Sequence, residues 1–228
     1  MALIEKAKGR REGQTPSGYT RLFGISELGN LMSRIQDTVI SSGTELEKLI
    51  YERTTKINSL DEFIVKTLHE QKTGIWVATK KQVKESKVIH SKYEPDFIAF
   101  DLTGRICYVI EVKDGDQFDT KKASGEHETL HNFTNDISQA MPFSFRIYLC
   151  SFNANTRKEI YDGLKHRFSM DEVLTGRELC ELFGISYDDI VKIRSGDQKS
   201  NLKYFVITLL KIDKIRKMIS KNLKGQKL

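Results

Sequence analysis

Cysteine is scarce in this chain: Cys107, Cys150 and Cys180 are the only three in 228 residues. They are odd in number and far apart, and the first two sit inside apolar runs, so they read as reduced core thiols and not as disulfide partners or zinc ligands. Long apolar runs are missing as well. None approaches the roughly 20 residues that a bilayer-spanning helix requires. The opening MALIEKAKGRREG turns charged at Glu5, which argues against a secretory leader or membrane anchor. A cytoplasmic protein is the expectation. There is no internal repeat and no low-complexity tract. What remains is an ordinary globular chain, 39% hydrophobic, able to bury a sizeable core as one large domain or as one domain with a small appendage.

Charge is the first positive signal. A net charge of +6 and a pI near 9.1 suit a polyanionic partner, because Lys and Arg bind phosphates by displacing counterions. The basic residues cluster at Lys6, Lys8, Arg10 and Arg11, at Lys121 and Lys122, and along the C-terminal KIDKIRKMISKNLKGQK. Each cluster alone reads as a solvated surface.

Hydrophobic spacing predicts a helix from Ser26 to about Arg53, interrupted at Ser41-Ser42-Gly43, with Leu28, Leu31, Met32, Ile35 and Val39 before the break and Leu46, Leu49 and Ile50 after it. Ser59 and Glu62 form a capping box for a short helix over Leu60 to about Glu70. The strand GIWVAT follows, then a Lys-rich connection and the segment YEPDFIAFDLTGRICYVIEVKDG, residues 93–115. A helix over Glu126–Gln139, the strand FRIYLCSF and the helix TRKEIYDGLKH complete the order helix, three strands, helix, strand, helix. That order predicts an α/β (α+β) chain: a mixed central sheet flanked by helices.

Residues 93–115 carry the chemistry. A two-residue turn at Thr103-Gly104 pairs Leu102 with Arg105, Phe100 with Cys107, Ile98 with Val109 and Asp96 with Glu111. Directly opposed carboxylates repel unless a cation sits between them. Strand alternation puts Lys113 on the same face, while Phe97, Ala99, Tyr108, Ile110 and Val112 form an apolar opposite face suited to a sheet covered on both sides. Two facing carboxylates are a hard-oxygen site suited to Mg²⁺, with Lys113 beside its water; the bland alternative is a solvated, ion-paired strand end.

Pro95-Asp96 followed by Glu111-Val112-Lys113 on the adjacent strand resembles the signature of the PD-(D/E)xK nucleases, whose core of helix, three strands, helix and strand is similar to the order over residues 43–152. The stretches GTELEKLI and EVKDGDQFDTKKASGE resemble type II restriction endonucleases more narrowly. The resemblance implies a restriction-endonuclease-like core with an N-terminal helical arm over 1–168 and a helical C-terminal region over 169–228. It implies Mg²⁺ at Asp96, Glu111 and Val112, Lys113 orienting or helping to deprotonate the attacking water, and a further acid on the first helix, best matched by Glu47, with Glu45 and Glu52 weaker. Asp114, Asp116 and Asp119 read as loop residues. Lys121 and Lys122 are expected at DNA phosphates, and Arg10, Arg11 and Tyr19 on the N-terminal arm at the DNA. The function implied is Mg²⁺-dependent cleavage of duplex DNA by a homodimer; a repair or junction-resolving nuclease and a non-catalytic DNA-binding regulator are the alternatives.

Two further motifs stand apart. HETLH, His127–His131, satisfies the H-E-x-x-H zinc pattern, but position 137 is Ile, and Glu159 as a third ligand lies on a later helix; DNA contact by His127 or plain helix surface are the other readings. GRELCELFGISYDDIVKIR has helix-turn-helix spacing with Gly184 in the turn, yet Asp188 and Asp189 at the start of the second helix would meet phosphates badly. It is either a DNA contact or a structural appendage. The helix after it, NLKYFVITLLKIDKIRKMI, presents an apolar stripe for a dimer partner or for its own domain.

Overall fold

The computed structural model describes residues 2–9, 17–67, 73–115, 120–139 and 141–225, without the side chains of residues 67, 120–122, 224 and 225. Its elements in chain order are α1 (Gly18–Phe23), α2 (Ser26–Tyr51), α3 (Leu60–Thr67), β1 (Ile75–Thr79), α4 (Lys80–Glu85), β2 (Phe97–Asp101), β3 (Ile106–Lys113), α5 (Thr120–Ser138), β4 (Ser144–Ser151), α6 (Arg157–Gly163), a 3₁₀ turn (Met170–Glu172), β5 (Val173–Thr175), α7 (Gly176–Phe183), α8 (Tyr187–Lys211) and α9 (Asp213–Gly225). They form two compact units, Leu46–Tyr187 and the pair of segments Met1–Glu45 and Asp188–Leu228.

The first unit is built on a five-stranded sheet in the order β1-β2-β3-β4-β5. β1, β2 and β3 pair antiparallel, and β3, β4 and β5 pair parallel, giving the mixed sheet expected from the element order. Parallel neighbours need crossovers, and α5 supplies one between β3 and β4, α6 the next between β4 and β5. Residues 97–100 and 107–110 are buried without alternation, so both faces of the β2–β3 pair are covered. One face packs Ile98, Phe100, Cys107, Val109, Ile147 and Leu149 into a core with Leu130, Phe133 and Ile137 of α5. On the other, Phe97 meets Phe183 of α7 edge-on at 6.0 Å. All three cysteines are free and buried, as read from the sequence.

The β2–β3 register pairs Phe100 with Cys107 and Ile98 with Val109, as the turn position required. The turn itself differs: it spans residues 102–105, so Leu102 and Arg105 are turn residues and not a strand pair. Asp101 is the cause, because its Oδ1 accepts from both Thr103 N and Gly104 N at 3.0 Å and closes the loop from below. Arg105 adopts φ 54° to leave the turn.

Other expectations are corrected. α2 runs unbroken through Ser41-Ser42-Gly43, where Ser41 and Ser42 donate to the carbonyls of Thr38 and Val39 and stay within the helix. Val39, counted in the apolar stripe, is 67% exposed. The Lys-rich connection contains α4, which begins where Thr79 N donates to Gln82 Oε1 at 3.0 Å. α5 starts at Thr120, well before Glu126, carrying Ser124 and Gly125 on exposed turns. α3 begins at Leu60 as read and is described to Thr67.

The unit Leu46–Tyr187 runs past residue 168. Residues 169–187 supply β5 and α7 to the sheet, and Arg157 Nε on α6 pairs with Glu178 Oε1 on α7 at 2.7 Å. In the second unit, Asn201 of α8 holds the N-terminal segment by accepting from Ile4 N at 2.9 Å and donating to Ala2 O at 2.8 Å. Arg34 of α2 donates to the Tyr204 hydroxyl at 3.1 Å. Among the described residues, no helix is long and apolar enough to cross a membrane.

Candidate active site

Asp96 immediately precedes β2, and the register continues outward to place it opposite Glu111 of β3. It is 7% exposed. Its Oδ2 accepts from Val112 N at 2.9 Å, and its carbonyl accepts from Lys80 N at the start of α4 at 3.0 Å. These bonds fix both the carboxylate and the backbone that carries it. Lys113 lies two residues beyond Glu111 on the same strand face, and its Nζ is 2.8 Å from Glu111 Oε1. A fourth group, Glu126 of α5, reaches the same Nζ at 2.8 Å.

Glu47 comes from the last turns of α2. Tyr51, one turn further on, donates to Gln82 Oε1 at 3.0 Å, and Gln82 also donates to Ile57 O, tying the end of α2 to α4. Beyond α2 the chain runs along β1, with Ile57 N donating to Val77 O at 3.0 Å. The carboxylate that results is half-buried.

The electrostatics show that these groups share one environment. Burial raises the Glu47 carboxyl above its ordinary value, and Glu111 raises it further. Asp96 is raised by burial and then by Glu47, against the Val112 N–H that favours its charge. Burial and Asp96 raise Glu111. Burial alone would lower Lys113, but its ion pairs with Glu111 and Glu126 more than reverse this, and the ammonium is held. Of the helix acids, Glu47 is the one named as acting on Asp96; Glu52, a weaker choice, is exposed and lies 3.9 Å from Lys48.

Asp114 is in the loop after β3, where its carbonyl and Oδ1 accept from Asn153 Nδ2. Asp116 and Asp119, Arg10 and Arg11, and the side chains of Lys121 and Lys122 lie outside the described residues. Tyr19 donates to Gln36 Oε1 at 3.3 Å within the second unit. His127 Nε2 faces His131 Nε2 at 3.2 Å and Glu172 Oε2 at 3.4 Å, so it is not presented as a lone phosphate donor. Glu159 is no partner of these histidines, because its carboxylate caps α6 by accepting from Asn155 N and Thr156 N.

Sequence reasoning missed Glu126 and Lys80. Glu126 would have been legible had α5 been started at Thr120, since it then falls on an interior turn of a helix crossing from β3 to β4. Lys80 was hidden in a stretch taken for a connection.

No family model matches this chain, and no solved structure matches it. Over 97% of its length it is 43% identical to the Type II restriction enzyme HhaII of Haemophilus parahaemolyticus, which is covered completely.

Proposed function

This chain belongs to the type II restriction endonucleases, and from that premise we propose that it is a member of the PD-(D/E)xK superfamily that cleaves duplex DNA with Asp96, Glu111 and Lys113 as the working groups, Glu47 in support and Mg²⁺ as cofactor. As a member of that family it is a sequence-specific deoxyribonuclease. The observation that carries the site assignment is the meeting of Asp96 and Glu111 at one end of two paired strands, with the Lys113 ammonium held between Glu111 and Glu126.

The donor set fits a hard divalent ion. Three carboxylates raised by burial and by one another form a place where a cation would relieve the strain that protonation otherwise relieves. Glu47, Asp96 and Glu111 do not all come within 4.8 Å of one another. That suits Mg²⁺, which takes one or two carboxylates and keeps several waters. Asp96 and Glu111, with the Val112 carbonyl, would hold it, and Glu47 would support its water shell. When bound, Mg²⁺ supplies charge neutralisation at the scissile phosphate and a more acidic water.

The protein's own groups do the positioning. Val112 N–H ties one oxygen of Asp96 and so aims the other. Lys113, paired with two carboxylates, is an ammonium; it donates, orienting the attacking water or a phosphate oxygen, and does not serve as the base. Lys121, Lys122, Arg10 and Arg11 are proposed to contact the DNA backbone, on the strength of their charge. A homodimer with two-fold symmetry would place one such site on each strand of a palindrome.

The test is plasmid cleavage in Mg²⁺ by the full chain and by Lys113→Ala and Asp96→Asn. Discrete bands, abolished by chelation and by both substitutions while DNA retention persists, are expected. Bands that survive Lys113→Ala would remove the assignment.

A further inference from the structure

Outside the carboxylate cluster, one set of side chains is arranged like a ligand shell. His127 and His131 are one turn apart on α5, and both direct Nε2 toward Glu172, which arrives from the 3₁₀ turn ahead of β5. The separations are 3.2 Å between the two Nε2 atoms, 3.4 Å from His127 Nε2 to Glu172 Oε2, and 3.7 Å from His131 Nε2 to Glu172 Oε1. Three donors each about 2.0–2.1 Å from a tetrahedral ion lie about 3.3–3.4 Å apart. Among the described residues, this is the group of three whose donor atoms all lie within 4.8 Å of one another.

The shell is held in place by its surroundings. Glu172 Oε2 accepts from Ser169 N at 2.8 Å, so the capping of the turn fixes the carboxylate. The His127 ring stands perpendicular to the buried Phe168 at 4.7 Å, which fixes its plane. His131 and Glu172 also line a cleft of about 580 Å³ with Arg146, Tyr148, Arg157 and Ser169, so one side of the shell stays open to solvent.

We propose that His127, His131 and Glu172 form a transition-metal site of Zn²⁺ character, separate from the nuclease carboxylates, that braces α5 against the 3₁₀ turn. Two imidazoles and one carboxylate suit Zn²⁺, Co²⁺ or Ni²⁺, whereas Mg²⁺ prefers an all-oxygen shell; the two centres therefore sort ions by ligand softness. The brace matters for the fold because α5 also carries Glu126, the residue adjacent to His127, onto Lys113. Glu128, the glutamate within H-E-x-x-H, is exposed and lies outside the three-residue ligand group.

The experiment uses the tag-free full chain, stripped by chelator and returned to buffer containing millimolar Mg²⁺. Co²⁺ is titrated by visible absorption and Zn²⁺ by calorimetry. One equivalent bound at micromolar strength or tighter, with an intense tetrahedral Co²⁺ spectrum bleached by Zn²⁺, is expected. His131→Ala and Glu172→Gln, the second keeping the reach of the cap, should each weaken Zn²⁺ by about tenfold or more, and Zn²⁺ should raise the melting temperature of the parent more than that of either variant. Equal Zn²⁺ affinity in either folded variant, a weak octahedral spectrum, or displacement by Mg²⁺ would overturn the proposal. None of these readouts depends on DNA cleavage.

Discussion

Replacing Asp96 with Asn should stabilise the Mg²⁺-free protein while abolishing cleavage. Opposed positions on antiparallel strands place their Cβ atoms about 5 Å apart, and two unit charges at that distance interact by about 3 kcal/mol at an effective dielectric constant of about 20. Lys113 and Lys80 act on Asp96 in the opposite sense, leaving a net gain of about 1–2 kcal/mol when its charge is removed. The amide keeps an oxygen that can accept from Val112 N–H, so no donor is orphaned. For a chain of this size the melting temperature should rise by about 2–4 °C per kcal/mol. The sign follows from the raised carboxyl groups: native-state protonation contributes stability that is full below the ordinary Asp value of 3.8 and is lost as pH rises through the raised native value. The advantage of Asp96→Asn should therefore be greatest near neutral pH and vanish in acid. Melting curves in chelator at pH 4 and pH 8, by calorimetry, are the assay. Adding Mg²⁺ to ten times its Kd should raise parental stability by about 1.4 kcal/mol and leave the variant unmoved. If Asp96→Asn melts lower than the parent in chelator at pH 8, the two carboxylates do not confront each other as described.

Glu126→Gln removes one of the two carboxylates on Lys113 and leaves the other; kcat should fall by about tenfold with DNA affinity unchanged, and an unaltered kcat would show that Glu126 is a bystander. Gly176→Ala sets a Cβ against the Phe152 carbonyl and 2.8 Å from its ring; forced repacking should cost about 1–3 kcal/mol in denaturant titration, and a neutral result would mean that the start of α7 is looser than it looks. Cys107, Cys150 and Cys180 should resist a thiol reagent in the native protein, since burial raises all three, and should react together in denaturant. A rapid native reaction would locate an opening of the sheet.

The register was legible because the turn at Thr103-Gly104 fixes the count outward along both strands, whose unbroken burial carries no alternation to read it from. Glu47 was legible to within three acids of one helix, and only the path of α2 into α4 separates it from Glu45 and Glu52. Short elements were opaque. β5 is three residues long, too brief for a period, and α4 is six residues of mostly lysine and glutamine whose helix depends on Gln82 reaching back to Thr79. Contacts between distant segments were opaque for a different reason. HETLH announced two histidines but nothing in its neighbourhood pointed to Glu172, which reaches them only through the crossovers that place β5 beside β4.

The four-residue loop clasped by Asp101 has an outcome at the other end of the hairpin. Five residues of extended chain, about 17 Å, separate that loop from Asp96, yet the count of residues in the loop alone decides which side chain stands across from Glu111. Point changes at the tip should therefore be tolerated, whereas an insertion or deletion that shifts the pairing by one residue would turn the acid away from its partner and drive it toward the packed core.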